Sequence, residues 1–474
     1  MVDETEKPRT ESWFADGPLR RLLSNASMLV GGRSLNGLFN LTAMTLIVRT
    51  VGLELFGLLV LVHAFASTIG DLAKFQSWQA VLRYGTPALE QGRTLDFRRL
   101  VKLTVLLDLG SALLGVLVAV LAVPLLASRL GLPTEWVPAV QIYSLSIFFM
   151  VTATPTGLLR LFDRFDLLSV SNAMGSFVRV VGAVWIFTRG AESGNLGVLL
   201  SIWFASTLTS GLWLIGHSLR ALSERGFLRG PRLGYRGLAS GHEGIASFVW
   251  TTQANTTLSA GTRHLATVIV GFLLTPAAAG LFDVSRQVTT LLTRFAKLMK
   301  PAIYPEFARL SARNDLPAIR QLMFRSMALM TVAGAVIVIP LVLFGRALLG
   351  LIFGPELEAA YGLMVLLALA AVIRLLSFPL EPALISTGRV GMALRVRAAS
   401  VTVFLVALFT LIPRMGLIGS GIAMIASALV AFAGQSLAVS VWFRSRADAP
   451  ATPAASAMPS APGDPRDEGS TPGS

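Results

Sequence analysis

Apolar residues in this chain arrive in blocks of about 18 to 25, the length at which a helix rising about 1.5 Å per residue crosses a hydrocarbon core. A water-soluble chain must cover its surface with charge. Here 54% of the residues are hydrophobic and only 14% are charged, which excludes that class. The every-second-residue alternation of a membrane barrel is missing, so the blocks read as helices. They predict an all-α integral membrane protein of about twelve transmembrane helices. The expected spans are 27–48, 55–78, 103–127, 138–159, 167–188, 195–218, 246–274, 277–300, 326–345, 360–386, 395–413 and 417–442. The dipeptide Thr275-Pro276 is the only break between the seventh and eighth, a helix stop followed by a helix start.

The net charge of +14 suggests nucleic acid until the basic residues are located: they sit in short loops between apolar blocks, so no nucleic-acid partner is expected. With the N-terminus taken as cytoplasmic, loops on that side hold 26 Lys and Arg, among them Arg98, Lys102, Arg164 and Arg320. The other side holds only five, Arg49, Arg129, Arg189, Arg346 and Arg414. This bias places both termini in the cytoplasm and requires an even number of spans. Trp78, Trp136, Trp185, Trp250 and Trp442 fall near the proposed ends, where an amphipathic ring suits the headgroup level. The first residues, MVDETEKPRT, are polar and mixed in charge, unlike a cleavable signal peptide. From 444 onward the chain turns to Ala, Pro, Ser and Gly, the composition of a disordered and dispensable cytoplasmic tail.

A faint internal repeat organises the spans. IVRTVGLELFG at 47–57 resembles IVGFLLTPAAAG at 269–280, and GNLGVLLSIWFAS at 194–206 resembles GLIGSGIAMIAS at 416–427, both offset by about 222 residues. Six spans per copy is even, so the copies are parallel, two six-helix lobes related by a pseudo-twofold axis along the membrane normal. The expected layout is a cytoplasmic N-terminal segment at 1–24, an N-lobe at 25–218, a basic cytoplasmic linker at 219–245, a C-lobe at 246–443 and the tail at 444–474.

No enzyme signature is present. The chain has no GxxxxGK[ST] phosphate loop, no HExxH and no cysteine, so no cofactor, metal, disulfide or catalytic residue is expected. The GLIGSG at 416–421 opens an apolar span with no strand before it and reads as close helix packing. The chemistry lies in charge inside the spans, which at mid-membrane costs a few kcal/mol unless it faces protein or water. Arg33, Asn36 and Asn40 share one face of the first span, and Asn172, Ser176 and Arg179 one face of the fifth. Gln253, Thr256 and Arg263 form a stripe on the seventh with His264 beside it. Asp283 and Arg286 lie on the eighth, and Arg374 and Glu381 on the tenth. Arg33, Arg179, Arg263 and Arg374 have no local carboxylate, so a cationic cavity between the lobes is expected, with Arg286, Asn36, Asn40, Gln253 and Thr256 adding contacts. Asp71, Asp108, Asp283, Glu381 and His264 are candidates for ion coupling or buried pairing. Among them, Asp71 with Lys74 and Asp283 with Arg286 stand at i, i+3 spacing, and Asp108 lies within reach of an Arg on a neighbouring helix.

An ordered set of stretches carries a family resemblance: VRTVGLELFGLLVLV at 48–62, FQSWQAVLRYG at 75–85, GLLRLFDRFDLLS at 157–169 and AAGLFDVSRQ at 278–287. YPEFARL at 304–310, FGPELEAAYG at 353–362, EPALISTGR at 381–389 and GLIGSGIA at 416–423 complete it. The chain resembles the Wzx-like polysaccharide (oligosaccharide) flippases of the multidrug/oligosaccharidyl-lipid/polysaccharide flippase superfamily over about residues 25 to 443. One departure is Ala266 beside His264, where relatives often carry an acid, which bears on ion coupling. The resemblance implies a multi-pass protein of the bacterial inner membrane that translocates an undecaprenyl-diphosphate-linked oligosaccharide, an O-antigen, capsule or exopolysaccharide unit, by alternating access. Its implied partners are that substrate, membrane lipids, and the polysaccharide polymerase and chain-length machinery. Two other readings share the span pattern. An ion-coupled drug or cation antiporter would present unpaired carboxylates in its cavity, and a membrane-embedded glycan polymerase or transferase would need larger loops than these.

Overall fold

The computed structural model describes residues 18–447 apart from 230–233, 235–236, 239–243, 313–314 and 388. It describes backbone alone at 18–30, 33, 254–263, 291–302, 304–305, 308, 312, 390 and 445–447. All regular structure among the described residues is helical. The N-lobe comprises α1 (Pro18–Ala73), α2 (Ser77–Glu90), α3 (Thr94–Leu126), α4 (Val137–Ser144), α5 (Ile147–Met150), α6 (Ala153–Leu161), α7 (Phe165–Arg189) and α8 (Leu196–Glu224). The C-lobe comprises α9 (Ile245–Leu273), α10 (Pro276–Ala312), α11 (Leu316–Phe353), α12 (Tyr361–Leu376), α13 (Leu380–Ser386), α14 (Val390–Met415) and α15 (Leu417–Ala447). Nine stretches among the described residues are long and apolar enough to cross a membrane, and the first of them, 34–90, runs through the bend at Gly52.

The first two expected spans are two helical arms, together labelled α1, separated by a sharp non-helical turn at Gly52, whose φ of 82° suits a residue without Cβ. Asn36 before the turn and Ser67 after it line one cavity, so the arms run back alongside each other. The second arm ends at Ala73, short of the expected 78, but the helical run does not end there. After a short break it resumes as α2, carrying Arg83 on helix rather than loop. The C-lobe makes the same turn with different chemistry: α9 ends at Leu273, and Thr275 Oγ1 accepts from the amide of Ala278 at 3.1 Å to start α10 at Pro276.

Corresponding helices begin about 222 residues apart, Thr94 with Leu316, Phe165 with Val390, and Leu196 with Leu417. A short 3-10 turn, Thr134–Trp136 or Pro355–Ala360, precedes the fourth span of each lobe, and that span is broken in both, into α4, α5 and α6 or α12 and α13. Several helices also run beyond their expected ends: α8 reaches Glu224, shortening the basic connection, and α11 extends from Leu316 to Phe353.

The lobes meet through α1 and α2 on one side and α9, α10 and α11 on the other. At the arginine-poor end the approach is closest at Gly57 and Gly280, which occupy equivalent places in the repeat. A Cβ on Gly57 would sit 2.1 Å from the carbonyl oxygen of Pro276, and one on Gly280 would sit 3.2 Å from the Cα of Gly57. Arg49 donates to the carbonyl of Leu351 across the same end. At the arginine-rich end Phe75 meets Trp250 and Tyr84 meets Phe248 edge-on.

Candidate functional site

Two polar cavities, of about 350 and 290 Å³, lie side by side in the middle of the bundle and share Asn36, His63, Arg179 and His264. The larger is walled almost wholly by the N-lobe, by both arms of α1 with α5, α7 and α8. The smaller opens at the lobe junction, where α10 brings Asp283, Arg286 and Gln287.

Arg179 stands at the centre. Its Nε donates to Ser206 Oγ at 3.0 Å and one terminal nitrogen to Asn40 Oδ1 at 3.1 Å, while its guanidinium lies 5.2 Å from the ring centre of Trp203. These partners are all neutral, and among the described residues no ion pair involves Arg179. A guanidinium keeps its charge under desolvation and retains donors in a planar fork, so it presents a cation to whatever enters the cavity.

From Arg179 a hydrogen-bond relay crosses the lobe junction. Asn40 Nδ2 donates to Gln287 Oε1, and Gln287 Nε2 donates to Asp283 Oδ2 at 2.9 Å. Arg286 closes the relay as an ion pair with Asp283. Both amides are oriented the same way, oxygen toward Arg179 and nitrogen toward Asp283, so the relay runs from cation to anion. Arg286 thus pairs with the carboxylate directly, and Arg179 is linked to it only through the two neutral amides. A second inter-lobe contact sits beside it, His264 of α9 at 3.9 Å from Asp71 of α1.

The expected site residues divide as follows. Asn36, Asn40, Arg179, Arg286, Asp283, Asp71 and His264 converge on the two cavities. The side chains of Arg33, Thr256 and Arg263 lie outside the described residues. Gln253 is absent from both cavity linings; it is buried, and its Nε2 donates to the carbonyl of Leu72 at 3.0 Å, pinning α9 to the end of α1. Arg374 is absent from both cavity linings; it lies exposed on α12, with Met424 Sδ at 3.6 Å. Glu381 pairs with Arg397 of α14 and joins helices within the C-lobe. Among the described residues no arginine pairs with Asp108. Ser77 Oγ at 2.6 Å and the amide of Thr154 at 2.7 Å donate to it, tying α3 to the helices on either side. The described lining carries no arginine surplus: it sets Arg179 and Arg286 against Asp71 and Asp283.

Sequence reasoning missed His63, Trp203 and Gln287. His63 lies 2.7 Å from the hydroxyl of Tyr143, which is itself buried. Its signal was available as the one ionisable side chain between Glu54 and Asp71. Gln287 carried none, because its role depends on a partner 247 residues away.

Comparison with known proteins agrees with this architecture. Residues 22–311 match the family described as Polysaccharide biosynthesis protein. The chain is 32% identical over 354 residues to Inner membrane protein YghQ of Escherichia coli, covering 74% of this chain and 98% of that one. It is 24% identical over 159 residues, a third of each chain, to the probable low-salt glycan biosynthesis flippase Agl15 of Haloferax volcanii. Two solved structures share the fold. An inward-facing multidrug resistance MATE family transporter of the MOP superfamily matches with a TM-score of 0.66 at 14% identity, over 88% of this chain and 99% of that one. The lipid II flippase MurJ in an inward closed conformation matches with a TM-score of 0.65 at 10% identity, over 88% and 87%. On residues 22–311 and on its likeness to the E. coli protein, this two-lobed membrane chain belongs to the polysaccharide biosynthesis protein family of Wzx-like flippases.

Proposed function

We propose that the chain translocates an oligosaccharide linked through a diphosphate to a polyprenyl carrier across the bacterial inner membrane, with both of its termini cytoplasmic. One observation carries the reading: Arg179 sits in mid-bundle on neutral partners and is wired through Asn40 and Gln287 to the Asp283–Arg286 pair of the other lobe. A diphosphate has strong acceptor oxygens that suit two guanidinium groups, and the neighbouring Asn36, Ser171, Asn172 and Ser176 suit sugar hydroxyls. An anion bridging Arg179 and Arg286 competes with Asp283 for Arg286 and with Asn40 for Arg179. Head-group binding therefore loosens the relay that joins the lobes and biases their rocking. Arg33 and Arg263 are proposed to extend the same cationic surface. No chemical step is assigned to the protein. The names of the relatives, an inner membrane protein and a glycan biosynthesis flippase, fit this reading.

The test uses proteoliposomes loaded with a fluorescent undecaprenyl-diphosphate oligosaccharide, whose transfer between leaflets is read by quenching from outside. Wild type transfers it and the Arg179→Ala, Arg286→Ala double variant does not. Transfer at the wild-type rate by the double variant overturns the proposal. The antiporter reading draws on the two carboxylates of the lining, Asp71 and Asp283, which here already meet His264 and Arg286, and it requires efflux of a cationic dye under a proton or sodium gradient, measured in the same vesicles.

A further inference from the structure

On the outer side of each lobe, away from the central cavities, the same groove occurs twice. In the N-lobe it runs between α3, the broken fourth span and α8, encloses about 590 Å³, and is walled by Val105, Leu109, Phe148 and Leu219. The short helix α5 is its partition from the centre: Phe149 and Met150 face the polar cavity, while Phe148 and the adjoining Val151 face the groove. In the C-lobe the equivalent groove runs between α11, α13 and α15, encloses about 1110 Å³, and is walled by Phe324, Met327, Phe432 and Val439.

Both grooves carry basic groups at the same end. Arg98 and Lys102 line the first, and Arg320, Arg325 and Arg444 the second. Arg98 and Arg320 are each the fifth residue of the third span of their lobe, counted from Thr94 and Leu316. Lobes whose sequences have drifted this far apart still keep an apolar trough and a guanidinium at one register. The depth fits a lipid chain. From Lys102 to Ala112 the groove follows α3 for about 15 Å, half of a hydrocarbon core of about 30 Å, so it spans one leaflet. Asp108 also lines the first groove, but Ser77 and Thr154 already donate to its oxygens. Val105, Leu109, Leu219 and Phe324 are all more than a third exposed, an outward apolar face of the kind that lipid covers.

We propose that each groove docks one anionic phospholipid from the leaflet on the arginine-rich side, its phosphate on the basic rim and its acyl chain along the trough. Basic residues near a bilayer surface attract anionic headgroups, and a matched trough converts that attraction into a fixed site. The two sites flank the lobes symmetrically and are independent of what the central cavity carries.

Native mass spectrometry of the full-length detergent-purified protein tests this, with phosphatidylglycerol and phosphatidylcholine of identical chains added in competition. Wild type is expected to retain two phosphatidylglycerol molecules, preferred about tenfold or more over phosphatidylcholine. Arg98→Gln with Lys102→Gln lowers the count to one, and adding Arg320→Gln, Arg325→Gln and Arg444→Gln abolishes the preference. Val105→Trp fills the N-lobe trough and removes one lipid of either kind while leaving every rim charge in place. A wild-type preference in the fivefold variant overturns the proposal, as does no retained lipid in wild type. Should the charge variants fail to insert, unchanged retention by Val105→Trp overturns it alone.

Discussion

The crossing of α7 with α8 and the crossing of α14 with α15 are the same place in the repeat, filled with opposite chemistry. In the N-lobe Ser206 accepts from Arg179; in the C-lobe Ser427 meets Ser400, the two hydroxyl oxygens 3.1 Å apart. Ser206 and Ser427 close the two stretches whose likeness reveals the repeat, and each is the eleventh residue of its helix. One lobe therefore presents a cation where the other has a self-satisfied hydroxyl pair. The C-lobe supplies its charge from α10 instead, as the Asp283–Arg286 pair. Duplication preserves the scaffold, because helix length and packing recur with the apolar pattern. The site is asymmetric because an ionised group inside the bundle is tolerated only where partners have gathered around it.

The sharpest way to break this comparison is to remove one half of the C-lobe pair. Asp283→Ala leaves Arg286 buried without its carboxylate, at an expected cost of about 3 to 5 kcal/mol. Thermal unfolding in detergent should show a large drop, mostly recovered in the Asp283→Ala, Arg286→Ala double variant. A double variant no more stable than the single would show that the pair is not what holds Asp283.

The N-lobe half is tested by export. Arg179→Ala should lower transport about a hundredfold, the equivalent of losing two charge-assisted hydrogen bonds, with normal insertion. Arg179→Lys should recover only part, because a point charge replaces a planar fork. Ser400→Ala at the equivalent C-lobe position should leave transport near wild type. Equal losses for Arg179→Ala and Ser400→Ala would dissolve the distinction between the lobes.

Smaller effects sharpen the lobe junction. Gly57→Ala drives a methyl into the Pro276 carbonyl and should cost about 1 to 3 kcal/mol. Gly110, in the middle of α3, has nothing within 4 Å of an added Cβ, so Gly110→Ala should gain up to about 1 kcal/mol from helix propensity. Melting temperatures that move in opposite directions check both. A neutral Gly57→Ala would mean that the lobes do not rely on that contact.

How far the site was legible follows from sequence distance. Asp283 and Arg286, three residues apart, read as a pair from spacing alone, and the structure pairs them. Asp71 with Lys74 has the same spacing, and Asp71 also lies beside His264 of the other lobe, a neighbour that spacing does not reveal. Spacing states which groups on one helix are able to meet, and packing decides which groups from other helices join them. Glu381 shares α13 with no arginine and goes to Arg397, while among the described residues the Arg374 side chain meets a methionine sulfur. Gln253 looked like one more rung of a polar stripe and instead satisfies a backbone carbonyl freed where α1 ends.

By itself the sequence determined that this chain is a bundle of membrane helices in two repeated lobes, because apolar length and periodicity are local properties that a bilayer reads directly. It also determined the turn at Thr275-Pro276, which needs only neighbouring residues. Only the tertiary structure decided that the first two spans meet in a sharp turn at Gly52, that His63 faces the cavity, and that Asn40 and Gln287 link Arg179 to Asp283. The reason is physical. A buried polar group takes whichever partner packing brings within about 3 Å, and that choice belongs to helices far apart in the chain.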